Sequence, residues 1–169
     1  MTIIYRDATA DDLPAIDRVF RTSFCNTFAH LYRPEDLAEF LGKFTPEAWA
    51  QEFNDPGYRF RVAEVDGEIV GYVKLGPSVL PVETSRRAIE LRQIYVLKDH
   101  HGSGLASALT DWAIDEGRKA DFEELYLTVY TDNHRARRFY DRYGFEAVGP
   151  YAFMVGRQPD EDIIMRKTL

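Results

Sequence analysis

The 169-residue chain lacks several features, and each absence narrows its class. Cys25 is the only cysteine, so no intrachain disulfide can form, and its apolar helical neighbourhood is typical of a packing residue. The four histidines show no metal-ligand spacing, and no metal site is predicted. No apolar run reaches the length of a membrane span, and the N-terminus has no basic segment followed by an apolar one. A cytoplasmic protein without membrane contact is therefore expected.

Positive charge is also scarce, with 21 Lys and Arg against 28 Asp and Glu and a net charge of −7. This balance argues against nonspecific binding to nucleic acid and suits a cationic substrate. The chain is 45% hydrophobic and 29% charged, enough to bury a core without disulfides or metal. Because no repeat or linker interrupts it, residues 1–169 are expected to form one domain. Exposed members of its 10 Tyr and 11 Phe could form a homodimer interface.

The order of the hydrophobic patterns predicts a mixed α/β fold, with helices on the faces of a central sheet. The segment from Gly76 to Arg87 has no periodicity and is predicted as a long loop, either a functional lid or a mobile connector. The other predicted elements are a strand at Ile3–Arg6, a helix from Leu13 to Phe28, short helices after Pro34 and Pro46, a hairpin turning at Asp66-Gly67, a strand and helix over Ile89–Ala120, a strand at Glu124–Tyr130, a helix after Asn133, and closing strands Phe145–Val148 and Asp162–Thr168 around a turn-rich segment.

The strand after Ile89 is expected to carry a β-bulge. Apolar residues occupy Ile89 and Leu91, and then, one residue out of phase, Ile94 and Val96. One extra residue near Arg92 accounts for this slip. A bulge bends a strand and leaves backbone groups unpaired, so we expect a binding site nearby.

A glycine-rich turn joins this strand to the next helix. Gly102 and Gly104 carry no Cβ, so a ligand can approach the backbone closely. The N–H groups and the positive end of the helix dipole converge there, which predicts an anion site. A nucleotide-binding module is disfavoured, because the lysine of a Walker A loop and the third glycine of a dinucleotide motif are both absent.

Two motifs carry a family resemblance. The run His101-Gly-Ser-Gly-Leu-Ala106 resembles the Q/R-x-x-G-x-G/A acyl-CoA loop of the GCN5-related N-acetyltransferases (GNAT), with His101 where Gln or Arg is usual. The run from Asn133 to Phe145 is similar to their N-x-x-A-x-x-[FL]-Y-x-x-x-G-F segment. The resemblance covers essentially the whole chain. It implies the GNAT fold, a mixed sheet of about six or seven strands flanked by helices, and acetyl-CoA as cosubstrate.

The resemblance also implies roles for individual residues. Tyr140 is similar to the family's general acid, although it could instead be a buried core tyrosine. Glu90 is the best candidate for the general base, although carboxylates on strand surfaces are common. The residues expected to bind the cofactor are Ile94, Tyr95, Val96, His101, Gly102, Ser103, Gly104, Leu105, Ala106, Ser107, Asn133 and Tyr140.

Softer segments, among them Thr22–Phe28 and Glu90–Tyr95, resemble the PaiA-type spermidine/spermine acetyltransferases. A polyamine or similar primary amine is then the expected acceptor. Phe28, Tyr32 and Glu35 are expected to bind it, although that segment could equally be a capped helix with a solvated acidic first turn. The alternatives are an enzyme that acetylates a protein N-terminus or lysine, and a non-catalytic acyl-CoA-binding regulator.

Overall fold

A computed structural model describes all 169 residues. One seven-stranded sheet, in the order β1-β2-β3-β4-β5-β7-β6, carries helices on both faces, as the sequence predicts. None of the helices has both the length and the apolar composition needed to cross a lipid bilayer. The elements are β1 Ile3–Asp7, α1 Leu13–Phe28, α2 Pro34–Leu41, α3 Pro46–Phe53, β2 Arg59–Val65, β3 Glu68–Pro77, β4 Ala88–Val96, α4 Leu105–Lys119, β5 Glu124–Tyr130, α5 His134–Arg142, β6 Glu146–Val155 and β7 Gln158–Thr168.

The sheet separates two apolar cores. On one face, α4 and α5 pack on the sheet through residues such as Leu109 and Ala113, both completely buried. On the other face, α1 contributes its buried stripe, which includes Ile16 and Val19, and Trp49 of α3 packs beside it. The 3.6-residue spacing of the α1 stripe predicts this packing, because such residues share one side of a helix.

The tight hairpin between β2 and β3 turns at Asp66 and Gly67, as predicted. Both residues have positive φ angles, 51° and 84°, which is the geometry of a two-residue turn that matches the twist of the strands.

Strands β4 and β5 separate after a short stretch of pairing. The antiparallel pairing of β4 with β3 is shifted by one residue, because Lys74 faces Gln93 while Leu75 faces Leu91. Arg92 is therefore the extra residue, and the predicted bulge is confirmed. On its other side, β4 pairs in parallel with β5 only over Ala88–Glu90. Beyond that point β5 continues with β7, so a cleft opens between β4 and β5.

The prediction for the C-terminal region was wrong. We expected short closing strands around a turn-rich segment from Gly149 to Glu161, but β6 and β7 form one long hairpin through it. The segment contains two prolines, which are compatible with the observed hairpin. Pro150 lies on the edge strand β6, and Pro159 lies beyond the stretch of β7 that pairs with β5, so neither interrupts a two-sided ladder. The hairpin turns at Gly156, where a Cβ would come within 2.6 Å of the Asp36 Cα.

Candidate active site

The open edge of β4 offers unpaired backbone groups to the cleft. The Leu97 N–H donates to the Val70 carbonyl at 2.9 Å. Because bonding alternates along an antiparallel ladder, Tyr95 occupies the next bonded pair, and Ile94 and Val96 turn their backbone groups toward the cleft. An extended ligand can therefore pair with this edge as an added strand would.

The glycine-rich turn lies beside this edge. Gly102 and Gly104 have φ angles of +78° and +86°, and no atom lies within 4 Å of the position that a Cβ would take at either residue. Helix α4 follows at once, and no side chain caps its first N–H groups. These free donors and the helix dipole make the turn a receptor for an anion such as a pyrophosphate.

His101 uses both ring nitrogens within the protein. Its Nδ1 lies 3.0 Å from Nη1 of Arg135, which can only donate, so Nδ1 accepts and Nε2 carries the hydrogen. Nε2 then donates to the Val96 carbonyl at 2.8 Å. His101 thus joins the turn, the strand edge and α5, and the Val96 N–H is left for a ligand.

Helix α5 begins at the mouth of the cleft and carries Tyr140. The Asn133 side chain caps the helix by accepting from the Ala136 N–H at 3.3 Å. Tyr140 is 8% exposed, and its ring packs against Phe145 with centroids 5.6 Å apart. Burial alone raises the pKa of its phenol, because no charged group or hydrogen-bond partner contributes. The hydroxyl is therefore protonated at neutral pH and unpartnered.

Two cavities meet at this tyrosine. The first, of about 590 Å³, contains the glycine-rich turn, and we call it the cofactor cavity. The second, of about 480 Å³, lies under α1 and α2, and we call it the acceptor cavity. Four residues line both, namely Ile94, Asn133, Ala136 and Tyr140.

Most residues expected to bind the cofactor lie around the cofactor cavity, and three do not. The Ser103 hydroxyl donates to the His100 carbonyl, the Leu105 side chain is buried in the core below, and the Tyr95 ring lies in the acceptor cavity. Only the backbone N–H groups of Ser103 and Leu105 are then available to a ligand, and the backbone of Tyr95 is paired with β3. The lining residues are Ile94, Val96, His101, Gly102, Gly104, Ala106, Ser107, Asn133 and Tyr140.

Aromatic side chains contribute 11 of the 27 residues that line the acceptor cavity. Val79 and Leu80 of the loop between β3 and β4 also line it, so this loop closes one side. The loop is fixed at Thr84, which donates to Glu124 at 2.6 Å. The phenylalanines of the wall are Phe20, Phe24, Phe28, Phe40, Phe44 and Phe153.

The structure brings two of the three expected acceptor residues to this cavity. Phe28 and Tyr32 line it, but the Glu35 side chain is 68% exposed and lies 3.9 Å from Arg33. Asp36 is the acid of this helical turn that points inward, and it accepts from the Arg157 N–H at 3.0 Å. The expectation for Glu35 therefore needs correction, because the first turn of α2 directs it to solvent.

One end of the acceptor cavity holds balanced charge. Glu90 is 7% exposed, and its Oε2 pairs with Arg92 Nε at 2.9 Å, while its Oε1 is buried without a partner. Burial raises the pKa of Glu90, and the charges of Arg92 and Lys74 oppose that rise. Lys74 is itself buried and pairs with Glu52 at 2.8 Å. The negative charges of Glu90 and Glu52 are therefore balanced by the positive charges of Arg92 and Lys74.

The opposite end holds two acids from β7 that the sequence analysis did not single out. Asp160 and Asp162 are each 8% exposed, and the Tyr32 hydroxyl donates to Asp160. Burial first, and then the charge of Asp160, raises the pKa of Asp162 to about 7. Asp160 and Asp162 also alternate as strand residues do, a signal that the predicted turn concealed.

An open strand edge, an anion-binding helix start and a phenol between two cavities define the class of acyl-CoA-dependent acyltransferases. The model of the Acetyltransferase (GNAT) family matches residues 23–145, and the chain belongs to this family. It is thus an acetyl-CoA-dependent N-acetyltransferase.

Individual proteins support the same assignment. The chain is 31% identical over 160 residues to an uncharacterised N-acetyltransferase in the pepI 3′ region of Lactobacillus delbrueckii subsp. lactis, covering 94% of this chain and 92% of the relative. The PaiA N-acetyltransferase of Thermoplasma acidophilum, solved with coenzyme A, shares the fold with a TM-score of 0.78, 21% identity and full coverage of both chains. A ribosomal-protein-alanine N-acetyltransferase from Brucella melitensis has a TM-score of 0.76 and 27% identity, over 98% of this chain and 99% of the other.

Proposed function

We propose that this protein transfers the acetyl group of acetyl-CoA directly to a primary amine of a slender aliphatic polycation such as spermidine or spermine. The observation that carries the proposal is the acceptor cavity. It is walled by aromatic rings, contains carboxylates and opens onto the cofactor cavity at Tyr140.

The residues around the cofactor cavity fit acetyl-CoA. The N–H groups of the glycine-rich turn bind its pyrophosphate, and the backbone of Ile94 pairs with an amide of its pantetheine arm. When bound, acetyl-CoA supplies an activated acetyl group as a thioester. The free Val96 N–H stabilises negative charge on the acetyl oxygen, as a donor fixed in advance does in acyl transfer.

Tyr140 acts as the general acid in this proposal. Its phenol stays protonated because burial raises its pKa, and its hydroxyl is free to donate a proton to the departing sulfur. Glu90, the base predicted from the sequence, has one free carboxylate oxygen, but its other oxygen is paired with Arg92.

The acceptor cavity suits an alkyl chain with charged ends. Aromatic rings bind methylene groups by apolar contact and bind ammonium groups through their faces. The buried carboxylates of Asp160 and Asp162, which no cation compensates, favour positive charge at one end. A thin, flexible polyamine satisfies both kinds of wall at once.

Acetylation of a protein N-terminus is the second candidate. One observation favours it, namely that a structure 27% identical to this chain carries the name of a ribosomal-protein-alanine acetyltransferase. The two candidates differ in what the carboxylates contact, because a peptide N-terminus has a single ammonium and a polyamine has several.

The test is free-thiol release from acetyl-CoA at slightly alkaline pH with spermidine, spermine, a lysine peptide, a peptide with N-terminal alanine, or buffer alone. We expect amine-dependent release that is strongest with the polyamines. In Tyr140→Phe, kcat should fall about 100-fold or more while CoA affinity is kept, because general acid catalysis typically contributes that much.

Tyr5→Phe is the matched control, because Tyr5 packs on the core from β1 and lines neither cavity. Release with the alanine peptide alone would favour the second candidate. No release with any amine, despite CoA binding, would refute the proposed transfer to an amine.

A further inference from the structure

Asp162 lies on the wall of the acceptor cavity, which meets the cofactor cavity at Tyr140. In the sheet it is paired with Tyr130 at the end of β5 and with Tyr151 on β6. Paired residues on neighbouring strands share a face, so Asp162 lies on the face that carries the cavity. Tyr130 ends β5 just before α5, the helix that carries Tyr140.

A third residue, Tyr95, lies on the wall of the acceptor cavity together with Asp162 and Tyr140. Tyr95 lies on β4 beside Ile94 and Val96, whose free edge faces the cleft. Asp162 therefore lines the cavity that would hold the amine, and this cavity meets the cofactor cavity at Tyr140.

The two acidic ends of the cavity differ in how their charge is compensated. At Glu90, Arg92 lies 2.9 Å away and Lys74 is close enough to oppose the rise in pKa. At Asp162, no cation contributes and Asp160 adds a like charge, and only a hydrogen bond from the Thr128 side chain favours the carboxylate. An incoming ammonium therefore finds an uncompensated carboxylate only at the Asp162 end. Tyr140, whose hydroxyl has no hydrogen-bond partner, lines the same cavity.

We propose that Asp162 is the catalytic base that takes a proton from the ammonium of the acceptor. This inference rests on the proposed amine acetylation. It assigns the proton transfer to Asp162 rather than to Glu90.

In the proposed step, Asp162 accepts one proton from the ammonium, which leaves a neutral amine. The amine nitrogen forms the C–N bond to the acetyl carbon while the C–S bond breaks and its electron pair goes to sulfur. Tyr140 donates its hydroxyl proton to that sulfur, and the excess proton of the new amide nitrogen returns to the Tyr140 oxygen. Asp162 then releases its proton to solvent. One ammonium and one thioester thus give one amide, one thiol and one proton.

The charge state of Asp162 depends on the groups that face it. None of them is cationic, so none of them stabilises the ionised carboxylate as a neighbouring cation would. A general base is most effective when its pKa is near the working pH. The titratable groups that face it are Asp160 on β7, Tyr130 on β5, Tyr151 on β6, Tyr95 on β4, Tyr140 on α5, and Tyr32 before α2.

The experiment measures kcat against pH from 5.5 to 9 with saturating spermidine for the wild type, Asp162→Asn, Asp162→Glu and Glu90→Gln. For the wild type we expect kcat to rise with pH through an apparent pKa of about 7, and we call this rise the ascending limb of the pH profile. In Asp162→Asn this limb should vanish and kcat should fall about 100-fold, whereas CoA affinity should not change. Asp162→Glu should restore the limb in part, and Glu90→Gln should keep it.

A limb that persists in Asp162→Asn and vanishes in Glu90→Gln would overturn the inference. So would a variant that only raises KM for polyamines at unchanged kcat, because Asp162 would then anchor a distal ammonium. If the wild type acetylates no amine, the proposed function fails and the inference falls with it. If the wild type is active and the limb is independent of Asp162, the inference alone fails.

A second measurement covers variants that do not fold. NMR titration of the aspartate carboxyl carbons in the wild type should contain one resonance that titrates near pH 7, and Asp162→Glu identifies it by removing it. Absence of such a resonance contradicts the assignment of Asp162 as base.

Discussion

The two cavities that meet at Tyr140 are built in different ways. The cofactor cavity is lined mainly by one continuous stretch, from Ile94 to Ser107, whose open strand edge and glycine-rich turn offer backbone groups, and by α5 along its length. The acceptor cavity is lined by side chains from α1, α2, α3, α5 and five different strands. A backbone site is restricted by geometry, because only certain residues allow its φ angles. A side-chain site is free to vary. One fold can therefore keep a single cosubstrate while its acceptor changes.

The strongest way to break the cofactor cavity, and to leave the acceptor cavity alone, is Gly104→Ala. The new Cβ projects into open space beside the free N–H groups, where the pyrophosphate is proposed to bind, and Gly104 has a φ angle of +86°. We expect CoA affinity to fall about 100-fold, which is about 3 kcal/mol. The measurement is CoA binding by calorimetry.

Gly67→Ala is the matched control. Gly67 has a φ angle of +84° and also has no atom within 4 Å of a new Cβ, but it lies in the β2–β3 turn. Both variants should lose about 1 kcal/mol of stability from backbone strain. Equal CoA affinity in the two variants would contradict the assignment of the glycine-rich turn.

The same contrast explains what the sequence could predict. The bulge at Arg92, the glycine-rich turn and the capped start of α5 are local patterns, so their spacing predicts them. Glu35 was assigned to the acceptor cavity and Asp160 was missed. Glu35 lies on α2, and which side of that helix faces the cavity is decided by how the helix packs on the sheet. Asp160 lies in the β6–β7 hairpin, which contains prolines that favour a turn in the sequence. Pairing of distant strands is a tertiary property that local patterns do not contain.

The buried carboxylate of Asp162 should lower the stability of the folded protein at neutral and alkaline pH. The folded-state pKa of Asp162 is about 7, above its ordinary value of 3.8. Between these two values the folded state binds more protons than the unfolded state, so the free energy of unfolding falls as pH rises from about 4 to 7. Above pH 7 the loss is complete, because both states carry the charge.

Asp162→Asn should therefore be more stable than the wild type at pH 8, by about 2 kcal/mol after allowance for partial solvent screening. At pH 5 the difference should be about a third as large, because only the first part of the fall between about pH 4 and 7 has then occurred. Thermal unfolding of both proteins at the two pH values checks this, and about 2 kcal/mol corresponds to a Tm rise of about 4 to 8 °C. A variant that is stabilised yet inactive would mark Asp162 as a residue kept for function. Equal differences at pH 5 and pH 8 would count against the raised pKa.

The smallest expected effect compares a residue that lines the acceptor cavity, Phe28, with an exposed residue of the nearby helix α2, Glu35. Phe28 lines the acceptor cavity, and its ring packs edge-on against Tyr130 with centroids 6.1 Å apart. Phe28→Ala should raise KM for spermidine about 10-fold, because truncation removes apolar contact worth about 1.4 kcal/mol, and should leave CoA affinity unchanged. Glu35→Gln should change KM less than twofold, since the exposed Glu35 side chain lies outside the cavity. Steady-state kinetics with varied spermidine measures both.

If Glu35→Gln raises KM as much as Phe28→Ala does, long-range attraction to the acidic surface contributes as much to acceptor binding as the aromatic wall. The acceptor site would then extend beyond the cavity to the first turn of α2.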